Sequence, residues 1–270
     1  MKSWADLQAE LRSADETLAQ RSRERLGPYH EQFGETLAKL HGIMSDVFEK
    51  ARQGESSQRR FGLAALYTYC LGRLTNSYRR LLEGYLADAV ILSRAAFEGL
   101  WLAIDLDIDA TDIPPESEAR MDRWLKGKQF VATGDTIRRR GERNQRLKER
   151  WSALSELSHP GKFGAVSLAF NTAEPGQPSQ FRLGVFGIEQ PQIADLVLHT
   201  NWEQLLSLID YAQVAFASSI EKPAEISEWL DNMRSTMQEF EHEKVLPTWR
   251  PLVALEEQAE DDSGGRRDDN

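Results

Sequence analysis

From Ala5 to about Val245 the apolar residues return every three or four positions, the spacing of one face of an α-helix. Only between residues 163 and 187 does that spacing fall to two. A chain patterned this way hides its apolar side chains by packing helix on helix, so it is read as all-α with one small β element. Leu7, Leu11 and Leu18 mark a first helix over 5–26, ended by Pro28. Phe33, Leu37, Leu40, Ile43, Met44 and Phe48 share one face of a second, over 31–52. A third is read over 60–82, and Gly84 turns the chain into a fourth over 85–106. This fourth helix is apolar nearly all round, which predicts an element at the centre of a bundle. Pro114 and Pro115 interrupt the pattern, which resumes over 116–130, 144–157, 191–220 and 224–245. In the 191–220 helix, Ile193, Leu196, Val197, Leu205, Leu208, Ile209, Ala212 and Phe216 form the inner stripe.

In the exceptional stretch, Val166, Leu168 and Phe170 alternate with small or polar residues, as do Phe181, Leu183 and Val185. Pro175, Gly176 and Pro178 lie between them, so the pattern predicts a β-hairpin near 163–187. Two strands alone are marginal in water, so the hairpin is expected to pack on the helices. The organisation read from the sequence is a helical extension over 1–56, a bundle over 57–250 carrying the hairpin, and a tail over 251–270. The tail is acidic and polar and is expected to be disordered.

Charge is distributed unevenly. The 270-residue chain has a net charge of −10, yet residues 120–150 hold eleven Lys/Arg against four Asp/Glu, a net of +7 that leaves −17 for the rest. The overall sign argues against general polyanion binding, while Arg138, Arg139, Arg140 and Arg143 form a local group that could grip RNA phosphates. The plainer reading of that group is a solvated helix face or linker. Cys70 is the single cysteine. It excludes an internal disulfide and a cysteine-based zinc site, suits a reducing compartment, and reads as a small buried hydrophobe. Residues 1–16 are charged and amphipathic, unlike a signal peptide. The longest apolar run, 95–106, is too short for a bilayer and carries Glu98 and Asp105. A cytoplasmic location with no membrane partner is expected.

Three polar residues of the fourth helix, Arg94, Glu98 and Asp105, fall within about 40° of one another on the helical wheel. Arg94 and Glu98 are four apart and can pair directly. Within a buried helix such charges are either a structural ion pair or a functional polar centre. His159, in Leu157-Ser158-His159-Pro160-Gly161, stands where helical spacing gives way to strand spacing and could act as a general base. A capping or structural role is the plainer reading. Glu156-x-x-His159 and Glu239-x-x-His242 have the spacing of di-metal bundles, but the second lies in a solvated charged run, so no metal is expected. The sequence has no glycine-rich phosphate loop and no Gly-x-Ser-x-Gly elbow, and no cofactor is expected.

The residues Gly84-Tyr85-Leu86-Ala87-Asp88-Ala89, then Leu92-Ser93-Arg94-Ala95-Ala96-Phe97-Glu98, then Leu154-Ser155-Glu156-Leu157-Ser158-His159-Pro160 resemble a pattern in bacterial helical families. There a helix with Arg-x-x-x-Glu precedes a helix ending in His-Pro, a short β segment and a further helix. These families are similar to the HEPN superfamily of toxin–antitoxin and phage-defence systems. The resemblance spans about residues 60–220 and implies a HEPN-like bundle working in defence or stress response. The ribonucleases among them carry an arginine closer ahead of the histidine. Here eight residues separate Arg150 from His159, which on a continuous helix puts the two on opposite faces. The resemblance therefore implies binding of RNA or a protein partner, or self-association, centred on Arg94, Glu98 and His159. The alternative is a metal-independent ribonuclease with His159 as base and Arg94 or Arg150 stabilising charge.

Overall fold

The computed structural model describes residues 3–53, 57–108, 114–128, 151–152, 154–155, 170–171, 180–181 and 191–247. Seven α-helices run through them: α1 (Trp4–Leu26), α2 (Pro28–Arg52), α3 (Gln58–Leu82), α4 (Leu86–Ile108), α5 (Pro114–Leu125), α6 (Pro191–Ala215) and α7 (Pro223–Phe240). A π-helical turn, Glu241–Val245, continues α7. The helix boundaries follow local chemistry. Ser3 and Asp6 form a reciprocal capping box that opens α1. Gly27, at φ +57°, closes α1 in a conformation that favours glycine. Four helices begin at a proline, whose missing N–H would have no intrahelical partner in any case. Ser57 caps α3 by accepting from the Arg60 backbone N–H.

The closest pair is α3 and α4. They approach where Gly99 of α4 faces Cys70 of α3, and a Cβ added at Gly99 would stand 2.8 Å from the Cys70 Sγ. Burial pushes the Cys70 thiol up to about 12, so it stays neutral, packed as a small apolar group. At Gly62 of α3 an added Cβ would lie 2.2 Å from the Met121 Sδ of α5, so the missing side chain is the notch into which α5 docks.

The sequence pattern predicts a deeply buried α4, and the core does hold Val90, Phe97 and Ile104 of it; α6 is buried along more of its length and packs against α2, α3, α4 and α7, while α3 touches α1, α2, α4, α5 and α6. α4 keeps an open edge, with Ile91 51% exposed. The reason is chemical. Asp195, Asn201, Trp202 and Gln204 of α6 each make a polar contact inside the bundle, so its mixed composition conceals its burial. Residues 1–56, expected as an extension, supply α2 to the same core: Phe33, Leu40 and Met44 are buried there, and the Phe33 ring meets Trp202 of α6 edge-on at 6.1 Å. Phe170–Asn171 and Gln180–Phe181 pair antiparallel, with Phe170 opposite Phe181. The remainder of the expected hairpin and the 251–270 tail lie outside the described residues. Among the described residues no helix is long and apolar enough to cross a membrane.

Candidate functional site

Of the residues singled out in the sequence, Arg94 and Glu98 meet as their spacing predicts. The Arg94 Nε donates to the Glu98 Oε1 at 3.0 Å. Their side chains are 22% and 34% exposed, so the pair lies on the bundle's flank and not in its core. The third member of the stripe departs from it. Asp105 is buried and accepts from the Arg120 Nη2 of α5 at 3.3 Å. Two residues further along, Asp107 accepts from the Arg59 Nε of α3. The buried charge on α4 is thus Asp105, and it secures α5.

Arg94 has a second contact. Its guanidinium lies over the Trp151 ring, 5.9 Å from the centroid, a distance at which the ring quadrupole attracts a cation. Trp151 packs against the core and Leu154 is part of it, so both lie against the bundle, Trp151 beside Arg94 of α4. His159 follows Ser155 by four residues in sequence and lies outside the described residues, as do Arg138, Arg139, Arg140, Arg143 and Arg150.

The interior of α6 carries a run of polar contacts that the sequence did not disclose. Asp195, buried, meets the Arg25 Nη1 of α1 at 2.5 Å. Burial pushes its carboxyl above the usual carboxylate range, and the Arg25 charge works in the opposite sense. The Asn201 Nδ2 donates to the Ser77 Oγ at 2.9 Å, and that hydroxyl donates to the Ala89 carbonyl. The Gln204 Nε2 donates to the Ser93 Oγ at 3.3 Å. The indole N–H of Trp202 donates to the Thr36 Oγ1 at 3.0 Å. Through these bonds α6 is keyed to α2, α3 and α4. His199, also buried, has its Nε2 3.7 Å from the Glu241 Oε2 at the start of the π turn. Tyr29 donates to Glu243 of the same turn at 2.8 Å. Burial together with that carboxylate pushes the Tyr29 phenol up to about 12.

The only sequence signal for this run is the four-residue repeat Asp195, His199, Glu203, which a solvated helix face would produce equally well. Among the described residues, no group of three or more His, Cys, Asp or Glu could hold a metal ion. No family model, curated protein or solved structure matches the chain.

Proposed function

We propose that the chain is a HEPN-like cytoplasmic bundle that acts by binding, with RNA or a protein as partner, in a bacterial defence or stress-response setting and without catalysis. The observation that carries this reading is the pinning of the basic stretch on α4. Arg120, at one end, pairs with Asp105. Trp151, next in sequence after Arg150 at the other end, lies under Arg94. Along α4, Asp105 and Arg94 are about 16 Å apart, so the residues at the two ends of the +7 stretch meet the same helix. Opposed by Glu98, Arg94 is poorly suited to stabilise a developing phosphorane charge, a role that requires a donor whose charge is not already offset.

The Trp151 contact favours a second reading as well, a ribonuclease in which His159, a few residues on, joins Arg94. One assay separates the two: a labelled single-stranded RNA incubated without metal, beside a His159→Ala control. Expected is weak binding with no cleavage above the control. With about four phosphate contacts, affinity should fall about 50-fold between 50 and 200 mM salt, through counterion release. Changing Arg138, Arg139, Arg140 and Arg143 to Ala should abolish it. Cleavage lost in His159→Ala would establish the ribonuclease. No binding at low salt would remove RNA and leave a protein partner or a second copy of the chain.

A further inference from the structure

In a chain whose net charge is −10, α3 holds five arginines and no acidic residue. Two of the five tie the helix into the fold: Arg59 meets Asp107 of α4, and Arg60 reaches the Ser218 hydroxyl. The other three, Arg73, Arg79 and Arg80, are exposed. At 100° per residue they lie within about 120° of one another and of Phe61 and Tyr69, which are 55% and 43% exposed. Ala65, Thr68, Gly72 and Asn76 fill the rest of this side and are exposed too, so small residues keep the face low. Glu83, just past the helix end, is shared by Arg79 at 2.9 Å and Arg80 at 3.0 Å. Three guanidiniums thus stand against one carboxylate.

The ring of Tyr69 is seated by the neighbouring helix. A Cβ added at Gly99 of α4 would stand 3.2 Å from it, so the glycine leaves the ring its place. The Arg73 guanidinium, one turn further on, lies over the same ring, 4.9 Å from the centroid. An exposed aromatic ring beside a flat guanidinium is a surface on which a nucleobase stacks, because either plane accepts a π face. A neighbouring phosphate would meet Arg79 and Arg80 about 10 Å further along the helix. Single-stranded RNA uses both features, whereas an acidic protein surface would use the charges and leave the ring idle. The closest neighbour of α3 is α4, which the two ends of the +7 stretch also meet.

We propose that the exposed face of α3 is a seat for single-stranded RNA, with a base stacked on the Tyr69–Arg73 pair and adjoining phosphates on Arg79 and Arg80. This seat rests on the RNA reading and gives it a base-contacting surface within the bundle. A single stacked base strengthens binding about tenfold, so it adds to the phosphate contacts of Arg138, Arg139, Arg140 and Arg143 and does not replace them.

The test titrates a labelled single-stranded RNA with the full chain at about 50 and 200 mM salt and reads fluorescence anisotropy. Tyr69→Ala should weaken binding about tenfold at both salts, because a lost stack releases no counterion. Tyr69→Phe keeps the ring and should bind as the wild type does. Arg73→Ala should weaken binding as well, a check that holds even where Tyr69→Ala loosens α3 against α4. Changing Arg79 and Arg80 to Ala should make the salt dependence shallower. Phe48→Ala, at an exposed aromatic of α2, should change nothing. RNA binding that ignores Tyr69→Ala and Arg73→Ala overturns the seat and leaves RNA on the +7 stretch alone. Equal weakening by Phe48→Ala or by Tyr69→Phe overturns it too. Polyglutamate that competes as well as unlabelled RNA would assign the face to an acidic protein surface instead. No binding by the wild type at either salt removes the seat and the RNA reading together.

Discussion

α4 and α6 show opposite relations between composition and place. α4 is the more apolar helix, yet it keeps a half-exposed flank where Arg94 and Glu98 pair. α6 carries Asp195, His199, Asn201 and Gln204, yet all four are buried. Each amide keeps one bond to a neighbouring helix through its nitrogen, while the Asn201 Oδ1 and the Gln204 Oε1 are buried without a hydrogen bond among the described residues. Ser77, Ser93, Thr36 and Arg25 are the partners of α6. An unpartnered amide or carboxylate would be driven to the surface by its desolvation cost. The bonds that do form also fix the rotation of α6 about its axis, because each forms at only one setting.

Truncation at the hub puts the contrast between the two helices to its hardest test. Trp202 is fully buried, stands edge-on to Phe33, and packs tilted on Phe240 at 6.2 Å. Trp202→Ala should cost roughly 3–5 kcal/mol in denaturant unfolding, through the lost contacts and the cavity left behind. A loss under about 1 kcal/mol, no more than a typical point substitution, would show that Trp202 is not packed in the core.

A smaller effect is expected on α4. Because Arg94 and Glu98 are partly solvated, Glu98→Ala should cost about 0.5 kcal/mol, with a coupling to Arg94→Ala of similar size in a double-mutant cycle. A coupling above about 3 kcal/mol would mean that the pair is desolvated in solution and that α4 is more deeply buried than its geometry shows.

The smallest effect is one of pH. His30 of α2 stacks on Tyr78 and contacts its hydroxyl. Burial lowers its pKa below 6.5, with the Arg23 charge acting in the same sense and Glu31 opposing. The folded chain therefore resists a proton that the unfolded chain accepts. Stability from this group is present above about pH 6.5 and is lost as pH falls through that value toward the folded pKa. His30→Gln should flatten the fall in melting temperature between about pH 7 and 5. An unchanged slope would assign the acid sensitivity to other groups.

The helices were legible in the sequence because periodicity, prolines and caps are local properties. Gly27, Ser57 and Pro191 mark their boundaries without reference to the rest of the fold. The burial of the polar residues of α6 was not legible, since Asn201 reads as a solvent residue until Ser77, more than a hundred positions away, supplies its partner. The Arg94–Glu98 pair could be read because both ends lie on one helix. The contact of Arg94 with Trp151, and that of Asp105 with Arg120, cross between elements and had no sequence signature. His159 and the arginines 138–143 lie outside the described residues, so that part of the site rests on the sequence alone.

The π turn at the end of α7 gives the fold one place where the length of the chain can change. A π turn accommodates one residue more than the α-helix it interrupts. Removing one residue from within Glu241–Val245 would let the helix close into regular α form while the residues beyond it keep their phase, because the turn had absorbed the extra one. The same deletion inside the regular part of α7 would swing every downstream residue by about 100°. A one-codon deletion in the turn should therefore lower the unfolding midpoint far less than one within Pro223–Phe240, and equal losses would sink the idea. Related chains should differ by one residue in length here more readily than elsewhere along the helix.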